Sequence, residues 1–201
     1  MELLRKDLEA QKHSVIIHSF PDYESEDGKR IRRHLTGTDP MSKKVSFAVY
    51  LTDMLVKEDL IEKELEEGND VILDRYIFST IAYGSAAGTD YENAKAIERA
   101  FALPQPDIVV YIDMPIEKSM LLKAAQRKLE NDEVDKYERN RVLQEKVREV
   151  FARLMDENFM ARKWVRVAGH KSIEEVHTSI MNAIMPAFEA DKTKVKSHDP
   201  V

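Results

Sequence analysis

The stretch VILDRYIFSTIAY, residues 71–83, decides the fold. Its apolar opening is β-branched and too short for a helix, so it predicts a buried strand at residues 71–73. The run stops at Asp74-Arg75-Tyr76, and residues 77 onward turn back toward helical spacing. A continuous apolar strand feeding a helix belongs to a parallel sheet covered on both faces.

The rest of the chain repeats the pattern. SVIIHSF (14–20) predicts a strand closed by Pro21. In LPQPDIVVYIDMP (103–115), prolines 104 and 106 forbid a helix, IVVYI predicts a fully buried strand, and Pro115 closes the unit. WVRVAG (164–169) predicts a last strand. Helices are predicted over residues 2–11, from an Asp39-Pro40 start through Val45, Val49 and Val56, and on to a stop at Gly68. A short helix carries Leu121 and Leu122. A longer one carries Leu143, Val147, Val150, Phe151 and Leu154, and a final one spans 173–184. The expected class is α/β, one domain over residues 1–188 with a polar lid at about 125–140 and a polar tail at 189–201.

Composition narrows the chemistry. The 201 residues carry a net charge of −6 and no cysteine, which excludes disulfides and thiolate chemistry. The negative balance argues against nucleic acid as a partner, and no apolar run is long enough for a membrane span. The first residues lack the pattern of a secretory leader, so a cytoplasmic location is expected, with the nucleus as the alternative.

In open parallel sheets, ligands bind at the carboxyl ends of the strands. Asp74-Arg75 sits there. An isolated Asp-Arg pair is more often a structural ion pair. As a site, Asp74 is a hard oxygen ligand for Mg²⁺ or its water, and Arg75 a bidentate phosphate clamp.

FP at 20–21, DRYIFSTIAY at 74–83, LPQPDIVVYID at 103–113 and KYE at 136–138 occur in order ahead of LQEKVREVF. Together with W…VAGHKSIEEVH, this set resembles the thymidylate (dTMP) kinases of the eukaryotic branch, over residue 2 to about 185. The resemblance implies a P-loop nucleoside-monophosphate-kinase fold, γ-phosphoryl transfer from ATP to dTMP with Mg²⁺, and a homodimer. It places Asp74 toward the metal, through water, and the acceptor phosphate. Arg75 would hold the dTMP phosphate, and Phe20 and Tyr50 would line the thymine pocket. Ser79, Thr80 and Tyr83 would lie under the nucleoside, Tyr137 near the sugar, and Arg127 near ATP. Phe20 and Tyr50 are equally readable as core aromatics, and Lys128 as part of a solvated loop.

Three departures from the family pattern stand out. No G-x-x-x-x-G-K-[ST] occurs, and none of the six glycines is placed to build one. MELLRKDLEA reads as the helix that follows such a loop, cut at its first turn, with the central first strand of the sheet missing. The other two lie in the acceptor site. Tyr23 stands two positions after FP, where the resemblance expects arginine, and Met54 stands at a second arginine position. Arg30, Arg32 or Arg33 could compensate. A non-catalytic kinase-fold protein, or a kinase for another deoxynucleotide, is the alternative expectation.

Overall fold

The computed structural model describes the backbone of residues 1–130, 137 and 140–195, and the side chains of these except 126–130 and 189–195. The chain falls into two compact units, one formed by residues 1–104 and 116–154, the other by 105–115 and 155–201.

In the first unit, α1 (Glu2–Ala10) precedes β1 (Val15–Ser19), α2 (Glu26–Thr36), α3 (Lys43–Leu55) and α4 (Glu58–Glu66). Then come β2 (Asp70–Asp74), α5 (Ile77–Ala86) and α6 (Tyr91–Phe101), and α7 (Ile116–Glu130) and α8 (Arg141–Asp156) follow a chain excursion. β1 and β2 pair in parallel, Val15 opposite Asp70 through Ser19 opposite Asp74. Leu8, Ile31, Ile77, Ile81 and Leu154 are wholly enclosed, so α1, α2, α5 and α8 each turn an apolar residue inward. His18 ties β1 to α4 through Glu64 at 2.7 Å.

The second unit holds β3 (Ile108–Asp113), β4 (Lys163–Ala168) and α9 (Ile173–Val195). β3 and β4 are also parallel, Ile108 opposite Lys163 through Asp113 opposite Ala168. α9 packs on β4, and Phe159, Val167 and Ile184 are buried. The Trp164 indole N–H donates to the Phe159 carbonyl at 3.1 Å, anchoring the start of β4.

The parallel α/β class agrees with the sequence reading, but several details are corrected. The described strands form two two-stranded sheets rather than one. Strand positions expected to be fully buried are mostly half-buried, and Ile112 is exposed, because a strand in a two-membered sheet keeps one free edge. α3 starts at Ser42, whose hydroxyl accepts from the Val45 N–H, and not at Asp39-Pro40. α2 and α6 were not anticipated. α7 is longer than the short helix expected and reaches Glu130, and the α9 backbone continues to Val195 through the first part of the anticipated tail. Residues 131–136, 138 and 139 of the anticipated lid lie outside the described residues. Among the described residues no helix is long and apolar enough to cross a membrane.

Candidate acceptor site at the end of β1 and β2

Parallel pairing brings two of the sequence motifs side by side. Ser19 is opposite Asp74, and the next amide, that of Phe20, donates to the Asp74 carbonyl at 3.0 Å. The FP and DRY segments therefore leave the sheet together. Arg75 makes the exit with φ of 66°, a left-handed conformation that costs a non-glycine residue about 1–2 kcal/mol. Strain of this kind gathers at functional sites.

Left-handed backbone at Arg75 splits the DRY triplet. Tyr76 turns inward: it is buried, its hydroxyl donates to the Pro104 carbonyl at 3.2 Å, and its ring lies against Phe20 and Phe78. Burial, with Glu98, Glu58 and Glu62 adding to it, pushes its phenol pKa up. Asp74 and Arg75 remain outward and exposed by area. The guanidinium of Arg75 is nonetheless crowded. Burial is the largest influence on it and opposes its charge, but Tyr83, which accepts its hydrogen bond, Asp74 and Tyr23 leave its pKa raised. It is charged at any physiological pH.

The turn after Phe20 is held from below. Asp53 on α3 is 1% exposed and accepts the Asp22 N–H at 3.0 Å and the Ser25 hydroxyl at 2.9 Å. Burial raises the Asp53 pKa, and the hydrogen bonds from Asp22 and Ser25 work against that. Ser25 also caps α2 by accepting the Gly28 N–H at 2.9 Å. A Cβ on Gly28 would come within 1.8 Å of the Asp22 carbonyl oxygen, so only glycine allows the turn to lie this close to α2. Lys57 pairs with Asp22 at 3.0 Å, and this hydrogen bond is the main reason the Asp22 pKa is lowered. Ile17, His18, Phe20, Tyr23 and Lys57 help line a cavity of about 360 Å³ beside this turn.

Four tyrosines collect on the adjoining core. Tyr23, Tyr50 and Tyr137 pack against Ile31, Leu35 and Val49. Tyr83 and Tyr137 pack against Ala82, Leu143 and Val147, with their own rings 5.9 Å apart. His34, 2% exposed, links the set: its Nδ1 accepts the Met41 N–H at 2.7 Å, so Nε2 carries the proton and donates toward the Tyr137 hydroxyl at 3.3 Å.

The residues expected from the sequence are thus placed unevenly. Arg75, Tyr83 and Tyr137 form one connected run, and Tyr50 shares a packing cluster with Tyr137. Phe20 is buried against Tyr76, and Thr80 is buried on α5. Ser79 is half-buried, its N–H bonded to the Tyr76 carbonyl at 2.8 Å. Arg127 and Lys128 lie on the α7 backbone, but their side chains fall outside the described residues. Met54, at 2% exposure, is a core residue. Sequence reasoning missed Asp53, His34 and the tie between Ser25 and α2. The signal for Asp53 was an acidic residue within the apolar YLTDML run.

A metal fits this end of the sheet only in a limited way. Among the described residues no three His, Asp or Glu side chains converge. Asp74 offers an exposed carboxylate at the end of β2, which suits a cation that keeps its waters and takes its other ligands from phosphate. Nothing in the glycine pattern suits the triphosphate of ATP.

Comparison with known proteins identifies the family and the fold. The thymidylate kinase family profile matches residues 1–180. A thymidylate kinase of Arabidopsis thaliana is 30% identical over 173 residues, 86% of this chain, and the chain spans 60% of that protein's length. One from Schizosaccharomyces pombe is 27% identical over 91% of this chain and 83% of its own length. A probable thymidylate kinase of Methanocaldococcus jannaschii is 36% identical over 77% of this chain and 74% of its own. Among solved structures, a thymidylate kinase from Candida albicans superposes with a TM-score of 0.69 at 25% identity, covering 90% of this chain and 84% of that one.

Proposed function

The chain belongs to the thymidylate kinase family, and from that premise we propose that it carries the acceptor side of a phosphotransferase that moves the γ-phosphoryl of ATP to dTMP, yielding ADP and dTDP for dTTP synthesis. The observation that carries this reading is Arg75. A guanidinium held in strained backbone at the end of a parallel strand, bonded to Tyr83 and next to Asp74, is arranged for a phosphate.

In this reading Arg75 takes two oxygens of the acceptor phosphate and leaves the third free to act as the nucleophile toward the γ-phosphorus, with ADP as the leaving group. Tyr83 fixes the guanidinium plane. Tyr50 and Tyr137 bound the nucleoside, and Phe20 backs the site from the core. Asp74 would hold Mg²⁺ through water, where the ion would supply charge neutralisation at the phosphate oxygens. The ATP cradle is not built by any glycine run in this chain, so no donor-side step is assigned to its residues.

A homodimer is part of the same proposal. Val45, Ala48, Thr52 and Val56 form an exposed stripe along α3 and just beyond it, and a second copy would cover it. Sedimentation velocity reads this directly. The cytoplasm, or the nucleus, remains the proposed location.

Titration calorimetry with dTMP tests the acceptor reading. Wild-type chain should bind dTMP, and Arg75→Ala should lose about 2–5 kcal/mol of that binding. Equal binding by both would remove Arg75 from the site. An ADP-release assay with dTMP, dUMP and dCMP then ranks acceptors, and no release above background with any of them would leave a nucleotide-binding protein without turnover.

A further inference from the structure

Tyr137 is held at several points of the first unit. Its ring packs against the cluster of Ile31, Leu35 and Val49 and against that of Ala82, Leu143 and Val147, so it lies between residues of α2, α3, α5 and α8. Its carbonyl accepts the Gln144 side-chain amide at 2.9 Å. Three residues on, the Asn140 side chain accepts the Leu143 N–H at 3.0 Å and caps α8. Backbone and ring are thereby fixed, and what remains to be set is the direction of the phenol proton.

His34 sets it. The imidazole is buried on α2 and stands edge-on to the Tyr137 ring, with centroids 6.3 Å apart and an interplanar angle of 66°. The Met41 N–H occupies Nδ1 at 2.7 Å, so Nε2 is the donor and the phenol oxygen 3.3 Å away accepts from it. A phenol carries one proton. With its oxygen held as an acceptor on the α2 side, that proton is directed away from α2, and Tyr137 meets a partner there as a donor.

Tyr83 connects this arrangement to the end of β2. The rings of Tyr83 and Tyr137 are 5.9 Å apart, and Tyr83 accepts the hydrogen bond of Arg75. We propose that His34 is a positioning residue of the acceptor site: it holds the Tyr137 oxygen from the α2 side and turns the phenol proton toward an oxygen of the nucleotide's sugar. The inference rests on the acceptor reading above and deepens it. His34 acts through Tyr137, not on the substrate. An imidazole suits the task because its two nitrogens differ, one accepting from the connection between α2 and α3 while the other donates.

Amide substitutions separate the two nitrogens. In His34→Asn the side-chain oxygen replaces Nδ1 and still accepts from Met41, but the donor to Tyr137 is gone. In His34→Gln the amide nitrogen replaces Nε2 and still donates to Tyr137, while the Met41 N–H is left unmet. Each variant loses one bond, so the two should melt at similar temperatures below wild type. Calorimetry of the full chain with dTMP should nevertheless tell them apart. His34→Asn should bind about three- to tenfold more weakly than wild type, and His34→Gln within about twofold of it. Tyr137→Phe, which keeps the ring, should show the same loss as His34→Asn, and adding His34→Asn to it should cost no further affinity. The inference is overturned, with the acceptor reading intact, if the two His34 variants bind dTMP equally. It is also overturned if Tyr137→Phe binds as wild type does, or if the His34→Asn loss persists in the Tyr137→Phe background. If wild-type chain does not bind dTMP, the acceptor reading fails first and this inference falls with it.

Discussion

The carboxylate of Asp53 accepts the backbone N–H of Asp22 at 3.0 Å across the interface between α3 and the turn that leaves β1. The same carboxylate takes the Ser25 hydroxyl at 2.9 Å, so one enclosed group fixes both ends of the segment that presents Tyr23. Asp53→Ala would leave both donors without an acceptor, at a cost of about 2–4 kcal/mol in unfolding free energy. Asp53→Asn should cost less, because burial already opposes the aspartate charge and the amide oxygen still accepts. Urea unfolding of the two variants gives the ranking, and dTMP affinity should fall in the same order. Equal stability of Asp53→Ala and wild type would mean that the turn is held by something else.

Gly28 gives a second handle on the same turn. Its absent side chain leaves room for the Asp22 carbonyl, which a Cβ would meet at 1.8 Å. Backbone cannot swing aside as a side chain can, so Gly28→Ala should push the turn off α2 and cost about 1–3 kcal/mol. Gly37→Ala is the comparison. Gly37 ends α2 with φ of 86° in open space, so only backbone strain opposes the change there. Both variants should melt earlier than wild type, but only Gly28→Ala should also weaken dTMP.

The uneven legibility of this chain has a physical basis. DRY and FP were readable because the apolar β-branched runs before them specify strands, and parallel pairing then aligns their ends. α2 escaped notice because EDGKRIRRHLT shows only Ile31 and Leu35 as apolar positions, and what closes the helix is a cap and a left-handed Gly37. α6 hides in the same way, burying Lys95 and Glu98 where a hydrophobic pattern would be expected. The Asp39-Pro40 signal misled, since Ser42 two residues beyond is the better acceptor for a helix N-terminus. The Arg32 guanidinium over the Tyr23 ring and Asp53 under Asp22 are contacts between elements. No local pattern announces them, and they surface only once α2 and α3 are packed together.

His34 makes a claim about a single proton. The Met41 N–H points at Nδ1 across 2.7 Å, which forces the Nε2-protonated neutral ring and leaves that N–H for Tyr137. Long-range ¹H–¹⁵N spectra of the imidazole should report a protonated Nε2 and a bare Nδ1. His34→Leu would keep much of the packing but leave the Met41 amide unmet, with a loss of about 1–3 kcal/mol. A ring protonated at Nδ1 in those spectra would contradict the arrangement.

Glu98 should govern how stability follows pH. Its side chain is completely enclosed on α6 and neither oxygen has a hydrogen-bond partner among the described residues. Burial drives its pKa up from 4.5 to about 7, with Arg99 pulling weakly the other way. The folded chain therefore holds a proton that the unfolded chain gives up once pH exceeds its ordinary range. Below pH 4.5 the carboxyl is neutral in both states and the stability contribution is fully present. As pH rises through about 7 that contribution is lost, a fall on the order of 3 kcal/mol. Asp53, whose pKa is also raised, slopes the same way at lower pH, so the effect must be assigned by substitution. Glu98→Gln cannot ionise. Urea unfolding at pH 5, 6, 7 and 8 should find wild type and Glu98→Gln converging at pH 5, with the variant the more stable at pH 8. Parallel pH curves for the two proteins would place the slope elsewhere.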